Sequence, residues 1–470
     1  MRPNIFLRVD GSAEIGLGHI IRCMALGQML IENFSVTVVA LQIPEKIINE
    51  LKTAELDLLR INNEETFLSA IKSNDIVVLD GYQFNADYQK AIKATGAKLV
   101  CIDDLHEGYF LADLVINHAP DVSPENYRTV TYTRFALGLD YVLLRPPFLK
   151  AAAKLKREPK KLESIIICFG GSDIKDLTIR TARVVLGYKQ FVKIVVVTGS
   201  AYQKQDEIKE LIKADKRIAH YHALNGEEML ELMLQADVAI VPASGVLLEA
   251  LAVGCRIISG LYVDNQKLLY EKFRKLEFFI DAANFESEKL NYALTRAFQN
   301  EQPKVIIDGK SGIRLRRLFI EMLTSLREIQ GADSLLLFNW ANNPAVRENS
   351  ILTEPIKWDD HVLWFERKLK SLNTKIFILE FNAIPVGQIR FDRESEFWLI
   401  DYSVDQKYRG MGFGRLLLVK TLRLFKNTRL RAIVKPENTA SMKVFSFLNF
   451  HILKPDPPQA GGNIIFELET

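Results

Sequence analysis

The stretch Ile5-Phe6-Leu7-Arg8-Val9-Asp10, followed by Gly16-Leu17-Gly18-His19 and an amphipathic run carrying Arg22, decides the fold class. An apolar run ends on charged residues, a glycine-rich turn follows, and periodicity then changes from strand-like to helical. That is the strand–turn–helix unit of a parallel α/β sheet. Moving outward, short apolar runs at 36–41, 76–79 and 98–102 alternate with helical patterns at 19–31 and 85–95. A second series begins after the Lys/Pro-rich stretch 150–161. Its strands are expected at 164–169, 193–198, 218–222 and 238–241, with helices at 227–235 and 246–253. The expectation is two doubly wound, Rossmann-like domains, residues 1–155 and 156–330, with ligands bound where the carboxyl ends of strands face a shared cleft.

A helix expected over 311–330 leads to a boundary at Gly331-Ala332-Asp333. Beyond it the pattern changes: 375–381, 385–391 and 397–404 read as consecutive antiparallel strands, the first two joined by a turn at 382–384. A glycine-rich loop and a helix over 415–425 follow. Residues 333–470 are therefore expected to form a smaller α+β domain.

Composition narrows the function classes. The chain has 470 residues, 48% hydrophobic and 25% charged, which suits a multidomain globular enzyme. A formal charge of +3 does not point to nucleic acid or to a polybasic membrane anchor. No apolar run approaches the roughly 18 residues needed to cross a bilayer, and Arg8 and Asp10 interrupt the only apolar stretch near the N-terminus. Cys23, Cys101, Cys168 and Cys255 are isolated, without Cys-x-x-Cys spacing, and read as buried free thiols in a reducing, cytoplasmic setting. A monomer or weak homodimer is expected.

The loop Gln406-Lys407-Tyr408-Arg409-Gly410-Met411-Gly412-Phe413-Gly414 runs from a strand into a helix. Successive backbone N–H groups there form a cradle for a pyrophosphate. By itself such a loop is equally a flexible surface turn. In context, Arg409, Gly412 and Gly414 resemble the Arg-x-x-Gly-x-Gly signature of the GNAT acetyltransferases. Asn438-Thr439-Ala440-Ser441, with Phe445 and Leu448-Asn449-Phe450, resembles that family's second motif. The resemblance implies acetyl-CoA as co-substrate, held by the amides of Gly410, Gly412, Phe413, Gly414 and Arg415, by the edge of the strand ending at Val404, and by Asn438. Glu396 and Asp401 are candidate bases, on opposite faces if the strand is regular. Phe445 stands where the family often has a proton-donating tyrosine, which leaves Tyr402, Tyr408 or water for that role. Trp340, Asn343, Arg347, Trp358, His361 and Trp364 resemble family members acting on small amino substrates. Such aromatic spacing is more often core, and no catalytic role is assigned to it.

In the first two thirds, His19 falls at a helix N-terminus, where the neutral imidazole that can take a proton from water is favoured. A lone Gly-x-Gly-His is equally a packing motif. Three further turns join it. Gly170-Gly171-Ser172-Asp173 follows a strand; Ser244-Gly245 opens a helix carrying Glu249; and Val263-Asp264-Asn265-Gln266 opens another. Amides for a diphosphate and a carboxylate for ribose hydroxyls suit a nucleoside diphosphate.

This layout resembles the GT-B fold, and in particular the hydrolase of pseudaminic acid biosynthesis and its spore-coat-polysaccharide relatives. The matching residues are Arg8 and Asp10 with Gly16–His19, Asp80-Gly81-Tyr82, Ile102-Asp103-Asp104-Leu105, Gly138 with Tyr141 to Arg145, and the three later turns. That family removes UDP from UDP-2,4-diacetamido-2,4,6-trideoxy-β-L-altropyranose. The resemblance implies His19 as general base, with Tyr82 and Asn265 placing sugar and water. Arg8, Asp10, Gly18, Arg22, Gly171, Ser172, Ser244, Gly245, Glu249 and Gln266 are the expected substrate contacts. Gly81 stands where relatives often have His. No metal is implied. Together the two resemblances suggest one chain for consecutive steps: N-acetylation of a UDP-aminosugar at its 4-amino group, then loss of UDP. A GT-B glycosyltransferase, a protein acetyltransferase with a nucleotide-sugar sensor, and a UDP-binding module without turnover remain open.

Overall fold

The computed structural model describes residues 2–12, 16–154, 161–171, 173–263, 266–299, 307–453 and 462–470. The chain divides into two compact units, Met1–Leu318 and Phe319–Thr470.

The first unit contains two large parallel sheets, besides the small pair Tyr109–Phe110 with Arg128–Thr129. One runs in spatial order Asp57–Arg60, Ser35–Ala40, Asn4–Val9, Ile76–Asp80, Lys98–Ile102, Leu114–Asn117 and Arg134–Leu137. Ile76–Asp80 is buried at every position, as expected of a strand covered on both faces. Strand order reverses between Asn4–Val9 and Ile76–Asp80, which pair in parallel with Val9 opposite Asp80. In open parallel sheets such a reversal point is where ligands are usually bound.

The second sheet has the order Ile218–His222, Lys193–Thr198, Ser164–Cys168, Val238–Pro242, Arg256–Gly260 and Ile280–Asp281. Its reversal lies between Ser164–Cys168 and Val238–Pro242. Each sheet has its own core, one around Ile167, Val196, Ile240 and Phe285, the other around Val77, Leu99, Val115 and Phe67. The described strands and helices of the expected series agree with the sequence reading to within a residue or two; Asp57–Arg60, Leu114–Asn117 and Arg134–Leu137 were not foreseen.

The second unit is a mixed seven-stranded sheet, ordered Thr324–Glu328, Thr374–Phe381, Ile384–Arg393, Phe397–Val404, Arg429–Val434, Ile464–Glu469 and His451–Leu453. Here the structure corrects the expected helix over 311–330 and the boundary at 333. The helix is Ser311–Met322, and Thr324–Glu328 is an antiparallel edge strand on Thr374–Phe381. Its hydrogen-bond partner lies some fifty residues away, so local pattern could not reveal it. Arg327 fastens this edge through Glu380 at 2.7 Å and Asp333 at 2.7 Å.

One pair in this sheet is parallel: Phe397–Val404 with Arg429–Val434. Their register runs only from Phe397–Ile400 against Arg429–Ala432, although both strands continue. From Asp401 onward the two strands splay, leaving a gap beside the strand edge Asp401–Val404. The helix Phe413–Leu422 covers one face of this sheet and Trp358–Leu369 the other, where Trp340, Phe365, Ile376 and Ile378 pack together. Among the described residues no helix is long and apolar enough to cross a membrane.

Candidate functional sites

His19 is the second residue of the helix Gly18–Leu30, at the reversal point of the first sheet. Its Nδ1 lies 2.6 Å from Oδ1 of Asp80, the last residue of the neighbouring strand. Asp80 is 1% exposed. Burial alone would push its carboxyl up, but the Arg22 charge and the hydrogen bonds from Arg22 and His19 outweigh this. They hold it well below the usual carboxylate range. An ionised Asp80 cannot donate, so the proton of the His19–Asp80 bond is assigned to Nδ1. Nε2 is left as the acceptor. The Tyr82 ring meets the His19 ring edge-on, centroids 5.0 Å apart, and is half exposed.

Arg22 was expected to bind substrate. Instead its Nε and Nη2 each donate to Asp80 at 2.6 Å, and Nη1 donates to Asp104 at 2.8 Å. It is a strut between two carboxylates. Arg8 and Asp10 are likewise engaged within the protein. Arg8 is 0% exposed and donates to Asp10 and Glu64, while Asp10 also accepts the Leu41 and Gln42 amides. They lock the end of the first strand to its neighbours, and neither presents a free group. Gly18 is exposed, with open space where a side chain would stand.

The sequence reading gave no individual role to Asp80, Asp104 or His118. All three lie at or just past the carboxyl ends of strands in the first sheet, and a polar residue closing a fully apolar strand was the available signal. His118 is buried, and burial, helped by the Arg22 charge, pushes its imidazole down to about 4. Asp103 ties the loop back by accepting the Leu105 and His106 amides.

In the second sheet, Gly170 and Gly171 follow Ser164–Cys168, and Ser244 is the N-cap of the helix Gly245–Ala252. Its side chain makes no capping bond, and Gly245 is exposed with nothing near its Cα hydrogens. The Ser244 amide donates to Pro242 and that of Leu247 to Ser244, so the helix begins with the Gly245 and Val246 amides unpartnered among the described residues, at a strand-order reversal suited to an anion. Glu249, expected at the ribose, is paired within the protein. Both its oxygens are taken by Arg145, at 2.7 Å from Nε and 2.9 Å from Nη2. Asp173 accepts the Leu177 and Thr178 amides and caps its helix. Gln266 is the N-cap of the helix Lys267–Lys275, with a buried Oε1 that has no partner among the described residues. Ser172 and Asn265 lie outside the described residues.

In the second unit, Gly410 and Gly412 have φ of +83° and +88°, a region costly for any residue with a Cβ. Gly412 caps the helix Phe413–Leu422 in this left-handed conformation, and space around both glycines is open. The loop can therefore receive a diphosphate, and the strand splay beside Val404 can receive an extended arm; these features fit acetyl-CoA. Phe413 is a core residue against Phe381 and Tyr408, so only its amide faces the loop. Arg409 steadies the loop through the Val404 carbonyl and Asn343. Gly414 packs on Tyr402, where a Cβ would come within 2.9 Å of the ring. The Arg415 guanidinium lies 3.4 Å over the Phe447 ring.

Asn438 caps the helix Thr439–Phe447 by accepting the Ser441 amide, which commits its oxygen. The Tyr402 hydroxyl is 3.0 Å from Ser441 Oγ, and burial raises its pKa. Glu396 precedes the strand and pairs with Arg429 at 2.9 Å, away from the splay. Asp401 lies at the splay, half exposed, accepting from Gln388 at 3.1 Å. His361 is core, its Nε2 on the Ser334 carbonyl and its ring among Phe338, Trp358 and Phe365.

Residues 324–451 match the family model of the acetyltransferase (GNAT) domain. The chain is 25% identical, over 56% of its length and 93% of the relative's, to the UDP-2,4-diacetamido-2,4,6-trideoxy-β-L-altropyranose hydrolase of Campylobacter jejuni. It is 27% identical, over 68% of its length and 98% of the relative's, to the spore coat polysaccharide biosynthesis protein SpsG of Bacillus subtilis. An uncharacterized protein of Methanocaldococcus jannaschii is 25% identical over 95% of this chain and 96% of its own. The chain thus carries a GNAT acetyltransferase domain at its C-terminal end and shares partial homology with a nucleotide-sugar hydrolase and a spore-coat-polysaccharide biosynthesis protein.

Proposed function

We propose that the chain is a bifunctional nucleotide-sugar enzyme of pseudaminic acid biosynthesis, and that its first unit is a GT-B-type hydrolase of UDP-2,4-diacetamido-2,4,6-trideoxy-β-L-altropyranose. The observation that supports the hydrolase most is the His19–Asp80 pair at 2.6 Å, at the reversal point of its sheet. His19 Nε2 takes a proton from water as the water oxygen bonds to the anomeric carbon. The bond from that carbon to UDP breaks, and UDP leaves with the electron pair. Asp80 offsets the charge that develops on the imidazole. The amides of Gly245 and Val246 and the turn Gly170-Gly171 hold the diphosphate, while Tyr82 and Asn265 place sugar and water.

The second unit acetylates the 4-amino group of the precursor UDP-aminosugar. Acetyl-CoA supplies the activated acetyl group, its diphosphate against the 410–415 amides and its arm beside Val404. Asp401 and Tyr402, adjacent on the strand, face opposite sides of the sheet at the splay. The Asp401 carboxylate takes the proton from the amine, and the Tyr402 Oη, kept protonated by burial, gives one to the leaving thiolate.

The test is release of UDP from the diacetamido substrate with no sugar acceptor present. Acceptor-independent release supports hydrolysis. Release that requires an acceptor identifies a glycosyltransferase, and binding without release identifies a sensor.

A further inference from the structure

Arg390 and Asp401 stand directly opposite each other where the strands Ile384–Arg393 and Phe397–Val404 pair. Opposite residues of an antiparallel pair share a face, so the nearest partner for the Asp401 carboxylate is the Arg390 guanidinium. The two do not close. Arg390 Nη2 stays 3.8 Å from Asp401 Oδ2, beyond hydrogen-bond distance. Arg390 is drawn aside: its Nε lies 2.8 Å from Asp392 Oδ2, and its guanidinium sits over the Trp364 ring, 5.2 Å from the centroid. Asp392 is itself fixed, its Oδ1 accepting from Lys368 at 2.6 Å and Thr374 at 2.8 Å.

A neutral group takes Asp401 instead. Gln388, on the same strand and face as Arg390, donates from Nε2 to Asp401 Oδ1 at 3.1 Å. Gln388 is 9% exposed, whereas the Asp401 side chain is 56% exposed. A buried amide thus steers an open carboxylate at the point where the strands splay. A neutral donor fixes the direction of a carboxylate and leaves most of its basicity. A closed ion pair would fix it too, but would hold the carboxylate ionised against an incoming proton. The charges that act on Asp401 are the cations Arg390 and, from the helix Pro344–Asn349, Arg347. Neither hydrogen-bonds to it among the described residues; Arg347 is spent on the Ala341 carbonyl and Ser350.

We propose that Gln388 is a positioning residue for acetyl transfer, holding the Asp401 carboxylate toward the incoming amine and keeping it from closing on Arg390. This rests on the reading of Asp401 as the base.

The experiment follows acetyl transfer from acetyl-CoA to the UDP-aminosugar as a function of pH, on the full chain and its Gln388→Leu, Gln388→Glu and Asp401→Asn variants. Gln388→Leu fills a similar buried volume without a donor, which frees Asp401 to pair with Arg390. Its kcat is expected to fall about tenfold, with KM for acetyl-CoA within about twofold. The acidic limb of its kcat profile moves to lower pH, because a carboxylate paired with a cation gives up its proton more readily. Gln388→Glu sets a like charge beside Asp401, and its acidic limb moves to higher pH. A residue that only packs would lower the rate without moving the limb. Parent kcat in Gln388→Leu overturns the proposal, and so does a loss of kcat in both variants with the limb unmoved. Those results beside a lost transfer in Asp401→Asn leave the base reading standing and remove Gln388 alone. Parent kcat in Asp401→Asn removes the base reading and this proposal with it.

Discussion

His19 and Asp80 leave adjacent parallel strands of one sheet and meet through a 2.6 Å hydrogen bond, Nδ1 to Oδ1. An ionised Asp80 accepts there, which favours the proton on Nδ1, although Arg22 Nη2 also lies 2.9 Å from that nitrogen. Asp80→Asn should lower kcat for UDP release by about a thousandfold, with KM moving only a few-fold, because orientation and charge compensation act in the transition state. Imidazole 15N spectra check the cause: the Nδ1–H tautomer should dominate in the parent and lose that dominance in the variant. An unchanged tautomer alongside lost activity would assign Asp80 a purely structural part.

His118 gives the fold a pH dependence. Its folded imidazole is pushed down from the usual 6.5 to about 4, so between these values the unfolded chain binds a proton that the folded chain does not. The contribution of His118 to stability therefore falls as pH drops below about 6.5 and levels off near 4. The total loss is of order 3 kcal/mol at about 1.4 kcal/mol per unit. Urea titrations from pH 7 to pH 4 should show a steeper decline for the parent than for His118→Gln.

The fork between Arg145 and Glu249 makes a separate statement about stability. Glu249→Gln leaves the largely buried Arg145 guanidinium with a weaker partner, an expected cost of about 2–4 kcal/mol. A calorimetric melt checks it. A change of under about 0.5 kcal/mol would mean that the fork opens readily, as ribose binding through Glu249 would require.

In the acetyltransferase domain, Gly412→Ala places a Cβ on a residue at φ +88°. Strain of about 1–2 kcal/mol and a reshaped loop should weaken acetyl-CoA binding by tenfold or more. UDP release from an already acetylated substrate should be unaffected. Loss of both activities would contradict the assignment of this loop to the acetyl donor alone.

Much of this architecture was legible from local pattern. The strand 98–102, the turn Gly16–His19 and the loop 406–414 all announce themselves through runs of apolar residues punctuated by glycine. Thr324–Glu328 did not, because an edge strand owes its conformation to a distant partner. The site divided along a similar line. His19 was marked by its turn, whereas Asp80 and Asp104 acquire meaning only when the sheet brings them to Arg22. Arg8, Arg22 and Glu249 were read as ligand contacts, and the structure shows each engaged with another protein charge. Sequence spacing identifies a charged side chain but not its partner.

The most direct test of the two-activity proposal is a mass-spectrometric and NMR time course with UDP-4-amino-4,6-dideoxy-N-acetyl-β-L-altrosamine, with and without acetyl-CoA, on the parent and on His19→Ala. The expected result is free diacetamido sugar and UDP from the parent only when acetyl-CoA is present, with His19→Ala halting at the acetylated UDP-sugar. Acetylation by the parent without any release of UDP would contradict the hydrolase, and UDP release by His19→Ala at the parent rate would remove His19 from the chemistry.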